Sequence, residues 1–109
     1  MVIFTSEHCS DDRIATLQSR YPTGVVIEKV AATDSSLDLE RVLFILATRY
    51  ACNDILLETG ATLLGAFLQQ QRVDELIIYQ APILMGSDAR PLADWSMATM
   101  SEKQQLTVI

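Results

Sequence analysis

Residues 56–68 have the sequence LLETGATLLGAFL, which combines two apolar patterns around a glycine. The apolar residues 55–57, which Glu58 follows, predict a buried strand over residues 53–58, and the spacing after Gly60 predicts a helix over residues 61–71. A strand that leads through glycine into a helix places free N–H groups and the positive helix end at a sheet edge, which suits a phosphate. An ordinary strand-to-helix connection has the same pattern, so both interpretations stay open on these residues alone.

The rest of the chain alternates strands with helices. Ser10 precedes one predicted helix, and residues 38–50 carry apolar side chains at helical spacing, with Ser35 and Asp38 spaced as in a capping box. Because short right-handed crossovers join such elements, we expect an α/β domain with a mainly parallel sheet and flanking helices. Strands are predicted over residues 2–5, 25–29, 53–58, 75–80 and 106–109.

Length and charge limit the classes of protein to which this chain can belong. Its 109 residues suffice for one small domain or part of one, and half of them are hydrophobic. A net charge of -6 argues against nucleic acid as a partner, because no basic patch is available to neutralise phosphates. No apolar run approaches the roughly 20 residues of a membrane span. Cys9 and Cys52 lie far apart in sequence and are interpreted as idle thiols, so a cytoplasmic protein is expected.

The sequence lacks the motifs of several kinds of catalytic site. The chain has a single histidine, His8, and three or four ligands are needed for a zinc site. The paired motifs of the zinc deaminases, H-x-E and P-C-x-x-C, are absent, and so is the P-loop motif. We therefore predict no metal and no nucleotide hydrolysis.

Three motifs together carry a family resemblance. They are LETGATL at residues 57–63, VDEL at residues 73–76 and APILMGSDARPL at residues 81–92. This combination resembles the reductase domain of the riboflavin-biosynthesis deaminase/reductase proteins, which have Glu-(Gly/Ala)-Gly-Ala-Thr-Leu, Val-Asp-Glu-Leu and Ala-Pro-x-Leu-x-Gly at similar spacing. The sequence departs from that pattern at Thr59, which stands where many members have the first of two glycines.

The resemblance implies a fold, a reaction and a set of site residues. The fold would be dihydrofolate-reductase-like, and the reaction would be NADPH-dependent reduction of 5-amino-6-(5-phosphoribosylamino)uracil to its ribitylamino product. The nicotinamide supplies the chemistry, so no catalytic side chain is assigned. Glu58 would contact the substrate, although its position alone fits a solvated acid at a strand end equally well. The residues implied to bind the cofactor are Gly60, Ala61, Thr62, Leu63, Leu64, Gly65 and Ala66.

The resemblance also implies that the domain is incomplete. A family reductase domain has roughly twice this length, in keeping with a larger single domain. Residues 1–109 are therefore interpreted as one partial reductase domain, its C-terminal half, without a deaminase domain. A missing strand would leave a sheet edge unpaired, which predicts a twofold homodimer.

Two other functions remain open. The first is a non-catalytic folding or dimerisation fragment that binds no nucleotide, for which the wide apolar surface of residues 38–50 is the supporting feature. The second is a small flavodoxin-like nucleotide binder. We rank that one last, because its glycine turn belongs after the first strand, where this chain has TSEH at residues 5–8.

Overall fold

The part of the chain that the structure describes contains two strands, three α-helices and one 3₁₀ turn. A computed structural model describes residues 1–33 and 36–109, which divide into two compact units, Met1–Ile55 and Leu56–Ile109. In chain order the elements are β1 (Val2–Ser6), α1 (Asp11–Arg20), β2 (Val26–Val30), α2 (Leu39–Arg49), α3 (Ala61–Gln69) and the 3₁₀ turn (Met100–Glu102).

The first unit is built on a strand–helix–strand motif. β1 and β2 pair in parallel, with Val2 opposite Val26 and Ser6 opposite Val30, and α1 connects them. The N–H of Glu7 continues the ladder by donating to the carbonyl of Val30 at 3.0 Å. Both predicted strands and the predicted helix between them are confirmed, as is the parallel pairing that a helical crossover requires.

Side-chain alternation along β2 places α1 and α2 on opposite faces of this sheet. On one face, the ammonium group of Lys29 lies 3.0 Å from the carboxylate of Asp11, the first residue of α1. On the other face, Glu28 binds Arg49 at the end of α2, and Val30 is only 2% exposed. The unit therefore has three layers, as expected of an α/β arrangement.

The side chain of Asp38 caps the N-terminus of the helix α2. Oδ1 of Asp38 accepts a hydrogen bond from the N–H of Arg41 at 2.9 Å, which satisfies one of the free donors of the first turn. The capping box predicted from Ser35 falls partly outside the described residues, because Ser35 is not among them. Leu39 and Ile45 are buried, whereas Phe44 is 53% exposed, so the helix is confirmed and its wide apolar surface is only partly covered.

The helix α3 begins at Ala61, as predicted, and ends two residues before the predicted end. The N–H of Arg72 donates to the carbonyl of Phe67, and that of Gln71 to the carbonyl of Leu68, both at 3.0 Å. This pair of bonds is a Schellman motif, and it requires the left-handed backbone that Gln71 adopts, with φ of 54°. The helix therefore stops at Gln69.

The three other predicted strands are wrong. Residues 53–58, 75–80 and 106–109 form no strand, and their apolar side chains are largely exposed: Leu56 is 79%, Tyr79 95% and Val108 94% exposed. The physical reason is that a helix satisfies its own backbone, whereas a strand exists only beside another strand. Among the described residues, β1 and β2 pair only with each other, so these segments have no ladder to join.

Candidate functional site

The first turn of α3 is open to solvent at a glycine. Gly60 is the N-cap, with φ of −81° and ψ of 175°, and no side chain caps the helix there. A Cβ built on Gly60 meets no described heavy atom within 4 Å. The first intrahelical bond runs from the N–H of Leu64 to the carbonyl of Gly60, at 3.1 Å. The N–H groups before Leu64 therefore have no acceptor within the helix and point toward any anion at this end.

The predicted substrate and cofactor residues lie together at this end of α3, with one exception. Glu58 is exposed two residues before Gly60, and Thr62 and Leu63 are exposed on the first turn. Ala61, Leu64 and Ala66 are half-buried. A carboxylate and a hydroxyl thus accompany the free N–H groups, which gives both acceptors and donors to a polar ligand.

Gly65 is the exception, because the chain's own backbone covers it. A Cβ built there would lie 2.2 Å from the carbonyl oxygen of Asp94 and 2.6 Å from its carbonyl carbon. The N–H of Asp94 also donates to the carbonyl of Ala61 at 2.9 Å. The cofactor role of Gly65 stays a prediction, but the structure gives its small size a packing reason.

Thr59 needs no unusual backbone in this structure. Among the described residues, only Ala51 and Gln71 combine a positive φ with a side chain. Since Thr59 avoids the left-handed region, replacing the glycine of many family members carries no backbone strain at this position.

A charged cluster in the first unit was missed by sequence reasoning. Both carboxylate oxygens of Glu28 lie 2.5 Å from Nη1 of Arg49, and the Tyr50 hydroxyl donates to Oε1 at 2.8 Å. These hydrogen bonds, Arg49 first, lower the pKa of Glu28, and the bond to Glu28 raises the pKa of Tyr50. Glu28 is 8% exposed, and a buried carboxylate needs such partners. More than twenty residues separate the groups in sequence, so no local pattern could have revealed them.

The described residues contain no group of three or more His, Cys, Asp or Glu side chains arranged to hold a metal ion. In the same part of the chain, no helix is both long and apolar enough to cross a bilayer.

A parallel strand–helix–strand unit, followed by a helix with an open glycine N-cap, defines an α/β protein with a turn suited to phosphate. Comparison with known families makes this specific: residues 1–106 match the family described as the RibD C-terminal domain. The chain belongs to that family, which confirms the resemblance drawn from the three motifs.

Curated relatives agree with this assignment. Riboflavin biosynthesis protein RibD of Escherichia coli K12 is 53% identical over 51 residues, which cover 47% of this chain and 14% of that protein. The RibD protein of Chlamydia muridarum is 33% identical over 92 residues, or 84% of this chain and 23% of that protein. A Buchnera aphidicola protein named 5-amino-6-(5-phosphoribosylamino)uracil reductase is 48% identical over 40 residues, or 37% of this chain and 19% of that one. The matches thus span less than a quarter of each relative.

No solved structure matches the chain significantly.

Proposed function

We propose that this chain takes part in the NADPH-dependent reduction of 5-amino-6-(5-phosphoribosylamino)uracil to its ribitylamino product. One relative carries the name of that reductase, and others are named for riboflavin biosynthesis. The observation that carries the proposal is the open first turn of α3 directly after the exposed Glu58, in a chain of this family.

The residues at this turn fit a phosphate-bearing cofactor. With a net charge of -6, the chain offers a dinucleotide no general positive field, so local backbone N–H groups must provide the attraction. The open space at Gly60 lets a phosphate approach those groups, and the exposed Thr62 hydroxyl can donate to a phosphate oxygen.

The chain's own groups bind and orient, and the bound nicotinamide supplies the hydride. Glu58 accepts hydrogen bonds from hydroxyl or amino groups of the substrate, which holds the substrate near the turn. Holding both reactants in a fixed relative position lowers the entropic part of the barrier. The proposed reaction needs no nucleophilic side chain, so we assign none.

Titration with NADPH and with NADH, followed by calorimetry, tests the proposal. Gly60→Val fills the open space, and we expect it to weaken NADPH binding by about tenfold or more, since it blocks phosphate contacts. Gly86→Val is the matched control, because a Cβ at Gly86 also meets no described heavy atom within 4 Å. A folded sample that binds neither nucleotide would contradict the proposal, as would equal losses in both variants.

Two broader features belong to the same proposal. The complete arrangement would be the dihydrofolate-reductase-like fold, of which residues 1–109 form one partial domain, and the parallel pairing of β1 and β2 is consistent with such a sheet. The proposed location is the cytoplasm, where unpaired thiols such as those of Cys9 and Cys52 are usual.

The second candidate is a folding or dimerisation fragment that binds no nucleotide, and one observation favours self-association. Residues 76–86 contain no charged side chain, and apolar side chains along this stretch are exposed, including Tyr79 at 95% and Leu84 at 97%. Two copies can meet across this uncharged surface despite the net charge of -6. A twofold homodimer is compatible with either function.

Sedimentation of the protein over a range of concentrations tests the dimer. Ile78→Lys places a charge in the uncharged stretch and should raise the dimer dissociation constant by about tenfold or more. Gln69→Lys adds the same charge at an exposed position of α3 and should leave the constant unchanged. A parent protein that stays monomeric up to about 100 µM would contradict self-association.

A further inference from the structure

A C-terminal segment of the second unit contacts α3 at both ends of one helix face. We call residues 94–104 the strap. The N–H of Asp94 donates to the carbonyl of Ala61 at 2.9 Å, and the side-chain amide of Gln104 donates to the carbonyl of Leu68. Ala61, Gly65 and Leu68 are spaced i, i+4 and i+7, so they share a face of the helix. The strap therefore contacts this face at the first turn of α3, through Asp94, and at its last turn, through Gln104.

At Gly65 the backbone of the strap packs directly against the helix. The backbone of Asp94 occupies the volume that any side chain at position 65 would need, with the carbonyl oxygen 2.2 Å from an added Cβ. Backbone atoms cannot turn aside as a flexible side chain can, so a larger residue must displace the strap. Gly60, five residues earlier, has no described atom near its own added Cβ.

We propose that Gly65 is a positioning residue, which seats the strap on α3 and acts on the nucleotide only through it. The strap's bond to Ala61 holds the helical residue next to Gly60, so seating the strap fixes the first turn, where the cofactor phosphate would bind. The cofactor then contacts the turn at Gly60, and the face at Gly65 belongs to the strap. This inference rests on the proposed function for its effect on nucleotide binding, but not for the seating itself.

Two variants remove the contact from opposite sides. Gly65→Ala adds the clashing Cβ on the helix, and Asp94→Pro removes the N–H that donates to Ala61. Asp94→Ala is the matched control, because the contact is made by backbone atoms and this change keeps them. Trp95 is the chain's one tryptophan and lies next to Asp94, so its fluorescence reports the strap without any nucleotide.

We expect the Trp95 emission to shift to the red in Gly65→Ala and in Asp94→Pro, and to stay unchanged in Asp94→Ala. In Gly65→Ala the amide of Asp94 should exchange its hydrogen about tenfold faster, because it loses its acceptor. Both variants should weaken NADPH binding by the same factor, and the double variant should bind no more weakly than either single one. The circular dichroism of each variant checks that α3 is retained.

Two results would overturn the inference. Unchanged exchange at Asp94 in Gly65→Ala would mean that Gly65 does not seat the strap. Loss of NADPH binding in Gly65→Ala, with full binding in Asp94→Pro despite its red shift, would mean that Gly65 meets the cofactor directly. If the parent protein binds no NADPH, the proposed function fails instead, and the nucleotide-free measurements on Trp95 and on the Asp94 amide still decide the seating.

Discussion

The left-handed residue that ends α3 allows a stability test with an internal control. Gln69, Gln70 and Gln71 are consecutive and all exposed, yet they occupy three different backbone positions. Gln69 is the last helical residue, Gln70 is the C-cap, and Gln71 has φ of 54°. The same substitution, glutamine to glycine, should therefore change the free energy of unfolding in opposite directions at positions 69 and 71.

The magnitudes follow from the backbone. A left-handed conformation costs a residue with a side chain about 1–2 kcal/mol, which Gln71→Gly removes. Glycine also gains about 0.4–1 kcal/mol of freedom in the unfolded chain, which offsets part of that gain. The expected net stabilisation at Gln71 is about 0.5–1 kcal/mol. Gln69 has an ordinary helical backbone, so glycine there contributes only its low helix propensity. The free energy of unfolding should therefore fall by about 0.5–1 kcal/mol in Gln69→Gly.

Urea unfolding followed by circular dichroism measures both variants. For a slope of about 1.5 kcal/mol per molar urea, the two midpoints should differ by about 0.7–1.3 M, with Gln71→Gly the higher. The Schellman bonds from Gln71 and Arg72 use backbone N–H groups, so both substitutions leave them in place. A loss of stability in Gln71→Gly equal to that in Gln69→Gly would refute this reasoning, because it would mean that position 71 is not left-handed in solution.

Two further outcomes are expected. Since Arg49 and Tyr50 lower the pKa of Glu28, its contribution to stability is complete above the ordinary glutamate value of about 4.3 and is lost as the pH falls through the lowered value. Urea midpoints between about pH 6 and pH 3 should therefore fall less in Glu28→Gln than in the parent, and identical slopes would argue against the cluster. Phe67 is 8% exposed, so Phe67→Ala should cost about 3–5 kcal/mol of unfolding free energy, whereas Leu63→Ala, at 40% exposure, should cost much less. Similar losses in these two variants would mean that Phe67 is not in the core.

Helices could be predicted from the sequence because their signals are local. The cap at Asp38 and the apolar spacing after it predicted α2, and glycine followed by a second apolar pattern predicted the start of α3. The end of α3 was placed two residues late, because Gln71 adopts a backbone that glycine usually provides. The first two strands were also predictable, since a helix joins them and they pair with each other.

The missed contacts of Glu28 and Gly65 depend on partners distant in sequence. The Glu28 cluster joins groups more than twenty residues apart, and the cover over Gly65 comes from Asp94. The family resemblance implied that Gly65 binds the cofactor, but the small size of a glycine fits a ligand and another part of the chain equally well. Family resemblance suggests which residues form a site, but only the packing separates those that face a ligand from those that face the protein.

The segments that were wrongly predicted as strands bear on the proposed functions. Residues 53–58 end in Glu58, and residues 75–80 overlap the uncharged stretch of residues 76–86, so both segments border features on which the proposals depend. Their apolar side chains are exposed without a neighbouring strand, and such segments gain stability when another strand supplies hydrogen bonds and cover. If copies of the chain pair through residues 76–86, the amides there should become protected from hydrogen exchange as concentration rises, while those of the first turn of α3 should not. Protection of the α3 amides from hydrogen exchange should instead rise with NADPH concentration. A single hydrogen-exchange experiment would therefore distinguish nucleotide binding from self-association.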